Sequence, residues 1–200
     1  MNEQPKLAVL IDAENVSNKY VKLIMDEVSN YGVATYKRVY GDYSNPSVSA
    51  WMKNMQEYAL TPELQCNYTA GKSASDSALI IDAMDILYTG NVDGFCIVSS
   101  DGDFTRLASR LKESGMDVIG MGENKTPRSF RAACSVFTDL ELLLEAAEEE
   151  EETPVRKQKR IPENIISQAV IENAIIEIVI ENDDKGRPTG LGEIGSRLQK

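Results

Sequence analysis

Histidine is absent from the 200 residues of this chain. That absence removes Ser-His-Asp and Cys-His nucleophilic catalysis, imidazole acid–base chemistry and every zinc site built on imidazole. Any catalysis has to rest on carboxylates, a metal, lysine, tyrosine or thiol. Cysteine is scarce as well. Cys66, Cys96 and Cys134 are odd in number and far apart, which suits buried thiols and not a disulfide framework. No apolar run reaches the roughly 20 residues of a membrane span, and the first six residues carry no signal-peptide pattern. A cytoplasmic protein without a membrane partner is the expectation. Apolar residues make up 42% of the chain, enough for a real core.

Basic residues are outnumbered, 21 against 32 acidic, for a net charge of −11. Taken whole, that balance argues against nucleic acid, but it is unevenly spread. Residues 1–144 hold 13 Lys/Arg and 19 Asp/Glu, residues 145–152 hold six Glu and no base, and residues 153–200 hold 8 basic and 7 acidic. Much of the acidity is therefore a short tract plus a set of strand-end carboxylates that bound cations would partly neutralise.

What the chain does have is an alternation of strand-like and helix-like segments. Strands are expected at 6–12, 33–40, 64–68, 95–99 and 117–121. Helices are expected at 16–30, from Asn45-Pro46 to Ala59, at 74–88, 104–114, briefly after Pro127, and at 140–152. This βαβα rhythm predicts an α/β sandwich with a mostly parallel central sheet covered on both faces. The organisation reads as a domain over 1–146, a charged linker over 147–161 and a short helical C-terminal segment over 162–200. The linker runs from the Glu tract into Arg156-Lys157-Gln158-Lys159-Arg160, a solvated tether whose basic half is able to touch phosphate.

The carboxylates sit where such a sheet binds ligands. The apolar run Leu7–Ile11 ends in Asp12, with Asn15 three residues on. The run Phe95–Val98 leads into Ser99-Ser100-Asp101-Gly102-Asp103-Phe104. Asp76 opens the helix that follows Gly71-Lys72-Ser73-Ala74-Ser75. Right-handed crossovers bring such junctions to one sheet edge. Gathered carboxylates repel one another and call for a hard divalent cation, Mg²⁺ or Mn²⁺. The chemistry is then metal-assisted phosphodiester hydrolysis. In this reading Asn15 orients water or phosphate, Ser99 and Ser100 donate to phosphate or fix the carboxylates, and Lys72 neutralises charge. Asp82, six residues after Asp76 and about 240° round the helix, faces elsewhere and ranks lower.

Local alternatives exist for each residue. Asp103 before Phe104, and Asp76, both suit helix capping. Gly41-Asp42 and Asp93-Gly94 suit turns, Asp139 and Glu141 a helix start, and Trp51 with Met55 the core. Lys37 and Arg38, with Tyr40 and Tyr43 behind them, and Lys125, Arg128 and Arg131 offer phosphate grips with bases stacking on tyrosine; an ordinary solvated surface is the competing reading. Two rival functions stay open: a binding module with an inert acidic pocket, and a phosphatase or phospho-acceptor using strand-end aspartates. Against the phosphatase, Asp12-Ala13-Glu14-Asn15 lacks a second aspartate two residues after the first.

Taken together, Leu10–Asn15, Gly71-Lys72 through Asp76, Leu79–Met84 and Ser99–Phe104 resemble the NYN domain of the PIN-like nuclease superfamily, in particular its bacterial LabA-like subgroup. The resemblance spans roughly residues 5–144. It implies a PIN-like three-layer sandwich, a divalent-metal site and RNA cleavage. It also implies Asp12, Asp76, Asp101 and Asp103 as metal ligands with Asn15 in support, RNA as substrate and a possible homodimer. Residues 162–200 are similar to the start of an OST-HTH (LOTUS) module, which implies RNA or a protein partner for that segment.

Overall fold

The computed structural model describes residues 4–64 and 74–156, with side chains through residue 149. The chain divides into two units, Met1–Glu149 and Glu150–Lys200, and the sheet lies wholly in the first. Its strands are β1 (Lys6–Asp12), β2 (Val33–Gly41), β3 (Thr61–Leu64), β4 (Gly94–Val98), β5 (Asp117–Gly122) and β6 (Val136–Asp139). They form one six-stranded sheet in the order β3-β2-β1-β4-β5-β6. Every neighbouring pair is parallel, so the sheet is wholly parallel where the sequence suggested mostly parallel.

The helices are α1 (Val21–Tyr31), α2 (Pro46–Ser49), α3 (Met52–Tyr58), α4 (Ala74–Thr89), α5 (Thr105–Glu113), α6 (Arg128–Ala133) and α7 (Leu140–Arg156). Strand periodicity splits the core into two layers. Leu7, Val9 and Ile11 of β1 face one side with Ile24, Val28, Trp51 and Leu140. Ala8 and Leu10 face the other with Leu79, Ala83, Leu107, Leu111 and Phe130. So α1, α2, α3 and α7 cover one face and α4, α5 and α6 the other, as right-handed crossovers require when the chain steps outward from β1, returns past it to β4 and steps outward again. β1 and β4 are buried on both faces, which is why each reads as an unbroken apolar run.

Several sequence boundaries shift for identifiable reasons. Helix α1 begins at Val21 and not near residue 16, because Asp12 captures the N–H groups of Glu14 and Asn15 and Ser17 caps a 3-10 turn at Asn18–Tyr20. The single helix expected up to Ala59 is two, α2 and α3, with Asn45 capping the first and Pro46 at its opening position. β3 lies at Thr61–Leu64, and its pairing to Arg38–Gly41 sets the register. Pro62 is tolerated there because β3 is an edge strand. Residues 65–68 of the expected third strand lie outside the described residues. β6 was not anticipated; it is four residues long and at the sheet edge. The helix expected to stop at 152 runs to Arg156, so the first part of the expected linker is helical. The thiols of Cys96 and Cys134 are buried, and Trp51 is fully buried, donating its indole N–H to the Val16 carbonyl at 3.3 Å.

One glycine is fixed by space and bears on the site. A Cβ on Gly122, at the end of β5, would lie 2.5 Å from the Ser99 carbonyl oxygen and 2.5 Å from Thr126 Oγ1. Both neighbours are buried, so neither yields cheaply. Gly122→Ala is expected to cost about 1–3 kcal/mol in chemical denaturation and to displace the turn after β4. A variant as stable as the parent in a urea titration would contradict this packing.

Candidate functional site

Strand order reverses between β1 and β4, and open α/β sheets bind ligands in the crevice outside the carboxyl ends of such a pair. The turn after β1, the first turn of α4 and the turn after β4 supply the acidic residues there.

Asp12 ends β1 and is 1% exposed. Its Oδ1 accepts the backbone N–H groups of Glu14 at 3.1 Å and Asn15 at 3.3 Å. Its Oδ2 accepts the Asn15 side-chain amide at 2.9 Å and the Ser99 hydroxyl at 2.6 Å. Ser99 Oγ in turn accepts the N–H of Asp101 at 3.0 Å. A chain of hydrogen bonds thus runs from Asn15 through Asp12 and Ser99 to Asp101. Burial pushes the Asp12 carboxyl up to about 6; the bonds from Ser99 and Asn15 pull the other way, and the charge of Asp76 adds to the rise.

Asp101 has extended backbone and caps the 3-10 turn Gly102–Phe104, its Oδ1 accepting the Asp103 N–H at 2.9 Å. Capping therefore falls to Asp101 and not to Asp103, the residue whose place before Phe104 suggested it. Asp103 projects at the surface while Asp76 is buried in the first turn of α4. Ligand oxygens of Asp76, Asp101 and Asp103 all lie within 4.8 Å of one another. Three carboxylates at that separation destabilise one another unless a cation lies among them, and an all-oxygen donor set is the one hard divalent ions select. The residues fit Mg²⁺ or Mn²⁺. Asp12 stands beside this group, both of its oxygens accepting hydrogen bonds from protein donors.

The remaining sequence candidates are distributed differently. Ser100 Oγ accepts the Glu123 N–H at 3.0 Å. Lys37 donates to the Tyr58 carbonyl at 2.6 Å. Arg38 is paired with Asp82 and lies 3.6 Å from Glu63, its guanidinium 5.3 Å from the Tyr36 ring centroid. Asp82 also accepts the Tyr40 hydroxyl, and burial together with that bond raises the tyrosine's pKa. Tyr40 is 1% exposed, so it offers no face to a base. Arg131 is held by the carbonyls of Thr126 and Asn124 and by Asp139, and Lys125 pairs with Glu123. Arg128 is exposed at the start of α6. Lys72 lies outside the described residues.

Glu14 is a residue the sequence did not single out. Its Oε2 accepts the hydroxyl of buried Ser75 at 2.7 Å, and its Oε1 accepts the Asp42 N–H at 3.2 Å. It thereby pins the first turn of α4, and with it Asp76, to the turn after β1. Its place inside Asp12-Ala13-Glu14-Asn15 was the available signal.

A family model described as the NYN domain matches residues 6–142. The chain belongs to the NYN domain family. NYN domains are PIN-like, and that superfamily consists typically of metal-dependent nucleases, in keeping with the acidic group described above. The crystal structure of a protein of unknown function from Vibrio parahaemolyticus has the same fold, with a TM-score of 0.58 and 18% identity over 70% of this chain and 94% of that one. A search of curated proteins finds no match.

The burial of Asp12 in the NYN site fixes a pH dependence. Its folded-state pKa lies above the usual carboxylate value, so the ionised form costs stability. The cost is absent below the unfolded value, grows as pH rises towards 6 and is complete above it. Asp12→Asn removes this cost along with some hydrogen bonds whose loss depends little on pH. In EDTA, the stability of the variant relative to the parent is expected to improve by about 2 kcal/mol between about pH 4.5 and about pH 7.5. A difference that stays flat with pH in urea titrations would refute the buried, raised carboxylate.

Proposed function

We propose that this NYN chain is a divalent-cation-dependent endoribonuclease of the cytoplasm, hydrolysing RNA phosphodiesters. The observation that carries the reading is the convergence of Asp76, Asp101 and Asp103 at the edge of β1 and β4. In this reading those three carboxylates hold Mg²⁺ or Mn²⁺. When bound, the ion supplies charge neutralisation at the phosphate and activation of the attacking water. The chain's own residues do the rest. Asp12, fixed by Ser99 and Asn15, holds the Asp101 turn in place and adds negative charge beside the ligands. Glu14 and Ser75 set the position of Asp76. Arg128 is exposed at the start of α6, where the neighbouring Pro127 packs against Gly102 of the turn after β4, and is assigned to a phosphate of the RNA backbone. Membership of the LabA-like subgroup, a homodimer, and an OST-HTH module over 162–200 that takes RNA or a protein partner belong to the same proposal.

A second reading, a non-catalytic RNA- or protein-binding module, is favoured by one observation: Lys37, Arg38 and Arg131, expected as phosphate grips, are engaged within the protein. A labelled unstructured RNA separates the two. Under the nuclease reading it is cleaved with Mn²⁺ or Mg²⁺, left intact in EDTA, and cleaved about 100-fold or more slowly by Asp101→Asn. Asparagine caps a helix as well as aspartate does, so the variant's melting temperature should hold. RNA retained without turnover in either metal would select the binding module.

A further inference from the structure

Beside the acidic group lies a polar cleft of about 300 Å³, lined by Asn15, Ser17, Asn18, Ser47, Glu123 and Lys125. Its volume is at the lower end of small-ligand sites, roughly 300–1,000 Å³. Asn15 joins the two places, since its amide donates to Asp12 while the residue lines the cleft.

The chemistry of the lining narrows what fits. The only cation among the described lining residues, Lys125, is paired with Glu123 at 2.9 Å, so a phosphate would meet a neutralised lysine and a carboxylate. Among the described residues no aromatic side chain lines the cleft, so none of them offers a base a face to stack on. What remains are the Glu14 carboxylate, engaged by the Ser75 hydroxyl and the Asp42 N–H, and neutral hydrogen-bonding groups, two of which have a forced orientation. The Asn18 amide nitrogen donates to the Ala50 carbonyl at 3.2 Å and to Asn54 Oδ1 at 3.3 Å. A carbonyl only accepts, so the nitrogen must face it, and Oδ1 is the atom Asn18 has left to present. The Asn15 amide nitrogen is likewise fixed on the Asp12 carboxylate, which leaves its Oδ1. The cleft therefore offers fixed acceptors, suited to a hydroxyl donor on a small neutral ring.

We infer that this cleft is the subsite for a ribose next to the scissile phosphate, with Asn18 Oδ1 and Asn15 Oδ1 accepting from sugar hydroxyls, so that the site reads the 2′-hydroxyl and distinguishes RNA from DNA. The inference rests on the nuclease reading for the phosphate's position. A site built to hydrogen-bond a hydroxyl disfavours the analogue lacking it, because its half-buried acceptors are left unpaired.

The test uses one RNA sequence, the same sequence as DNA, and the RNA with a single 2′-deoxy nucleotide walked along it, all with Mn²⁺. The parent protein is expected to show one position near the cut at which losing the 2′-hydroxyl costs about tenfold in kcat/KM. In Asn18→Ala that position becomes insensitive, because cleavage of the all-ribose strand drops towards that of the substituted one. A role confined to holding Ala50 and Asn54 would instead slow every substrate alike. Ser47→Leu, which fills the cleft from its exposed rim, guards against a folding defect and should narrow the RNA-to-DNA ratio in the same way. A deoxy scan with no sensitive position, or equal sensitivity in both variants, overturns the subsite. Absence of any cleavage by the parent defeats the nuclease reading but not yet this one. The same oligonucleotides are then compared by fluorescence-anisotropy binding. Tighter RNA binding that Asn18→Ala abolishes supports the subsite, and equal or undetectable binding of RNA and DNA overturns it.

Discussion

The hydrogen bond from Ser99 to Asp12 holds the site together. It ties the end of β1 to the turn after β4 across the point where strand order reverses. Asp12 sits at 1% exposure, where desolvation outweighs every donor around it and lifts its pKa to about 6. A fold selected for stability alone would place a neutral residue there. The carboxylate organises three turns at once. It orders Glu14 and Asn15, fixes the Ser99 hydroxyl, and through that hydroxyl holds the Asp101 N–H. Local instability of this kind is the usual cost of a preorganised site.

The first half of α4 shows the same constraint from the other side. Asp82 is answered within the protein by Arg38 and the Tyr40 hydroxyl. Asp76, less than two turns earlier, lies with a carboxylate oxygen within 4.8 Å of oxygens of Asp101 and Asp103. One helix thus carries a carboxylate paired to Arg38 and a carboxylate gathered with two others at the sheet edge. Glu14 keeps the second arrangement from relaxing, since its bond to Ser75 stops the helix start from moving away from the sheet edge. Repulsion that side-chain movement cannot relieve is what gives such a group its affinity for a divalent cation.

How much of this was legible in the sequence follows from which forces are local. β1 and β4 were legible because strands buried on both faces leave continuous apolar runs, and their last residues located Asp12 and Asp101. Asp82 was ranked below Asp76 from helical geometry alone; it pairs with Arg38 and the Tyr40 hydroxyl. The start of α1 was not legible, because Asp12 withdraws two N–H groups from a segment whose apolar spacing is helical throughout. β3 was placed too late in the chain, because a four-residue edge strand takes its register from β2 and not from an apolar run of its own. The inward turn of Lys37 and Arg38 was invisible for a deeper reason. Whether a base is a substrate grip or an internal partner depends on which carbonyl or carboxylate the folded chain brings to it. Glu14 lay in plain view within its motif, but its role needs Ser75, sixty-one residues away.

The acidity of the chain then becomes part of the recognition problem. Proteins that bind nucleic acid by lysine and arginine patches draw their affinity from released counterions and lose it steeply with salt. Among the described residues Arg38, Arg131 and Lys125 are each paired to a carboxylate, so these three supply less of that term than their number suggests. A polyanion approaching it would be held by a cation among Asp76, Asp101 and Asp103 and by neutral groups such as the Asn15 and Asn18 amides. Binding by such means depends on metal concentration more than on ionic strength. It also favours a strand whose sugar can donate a hydrogen bond over one whose phosphates alone are available.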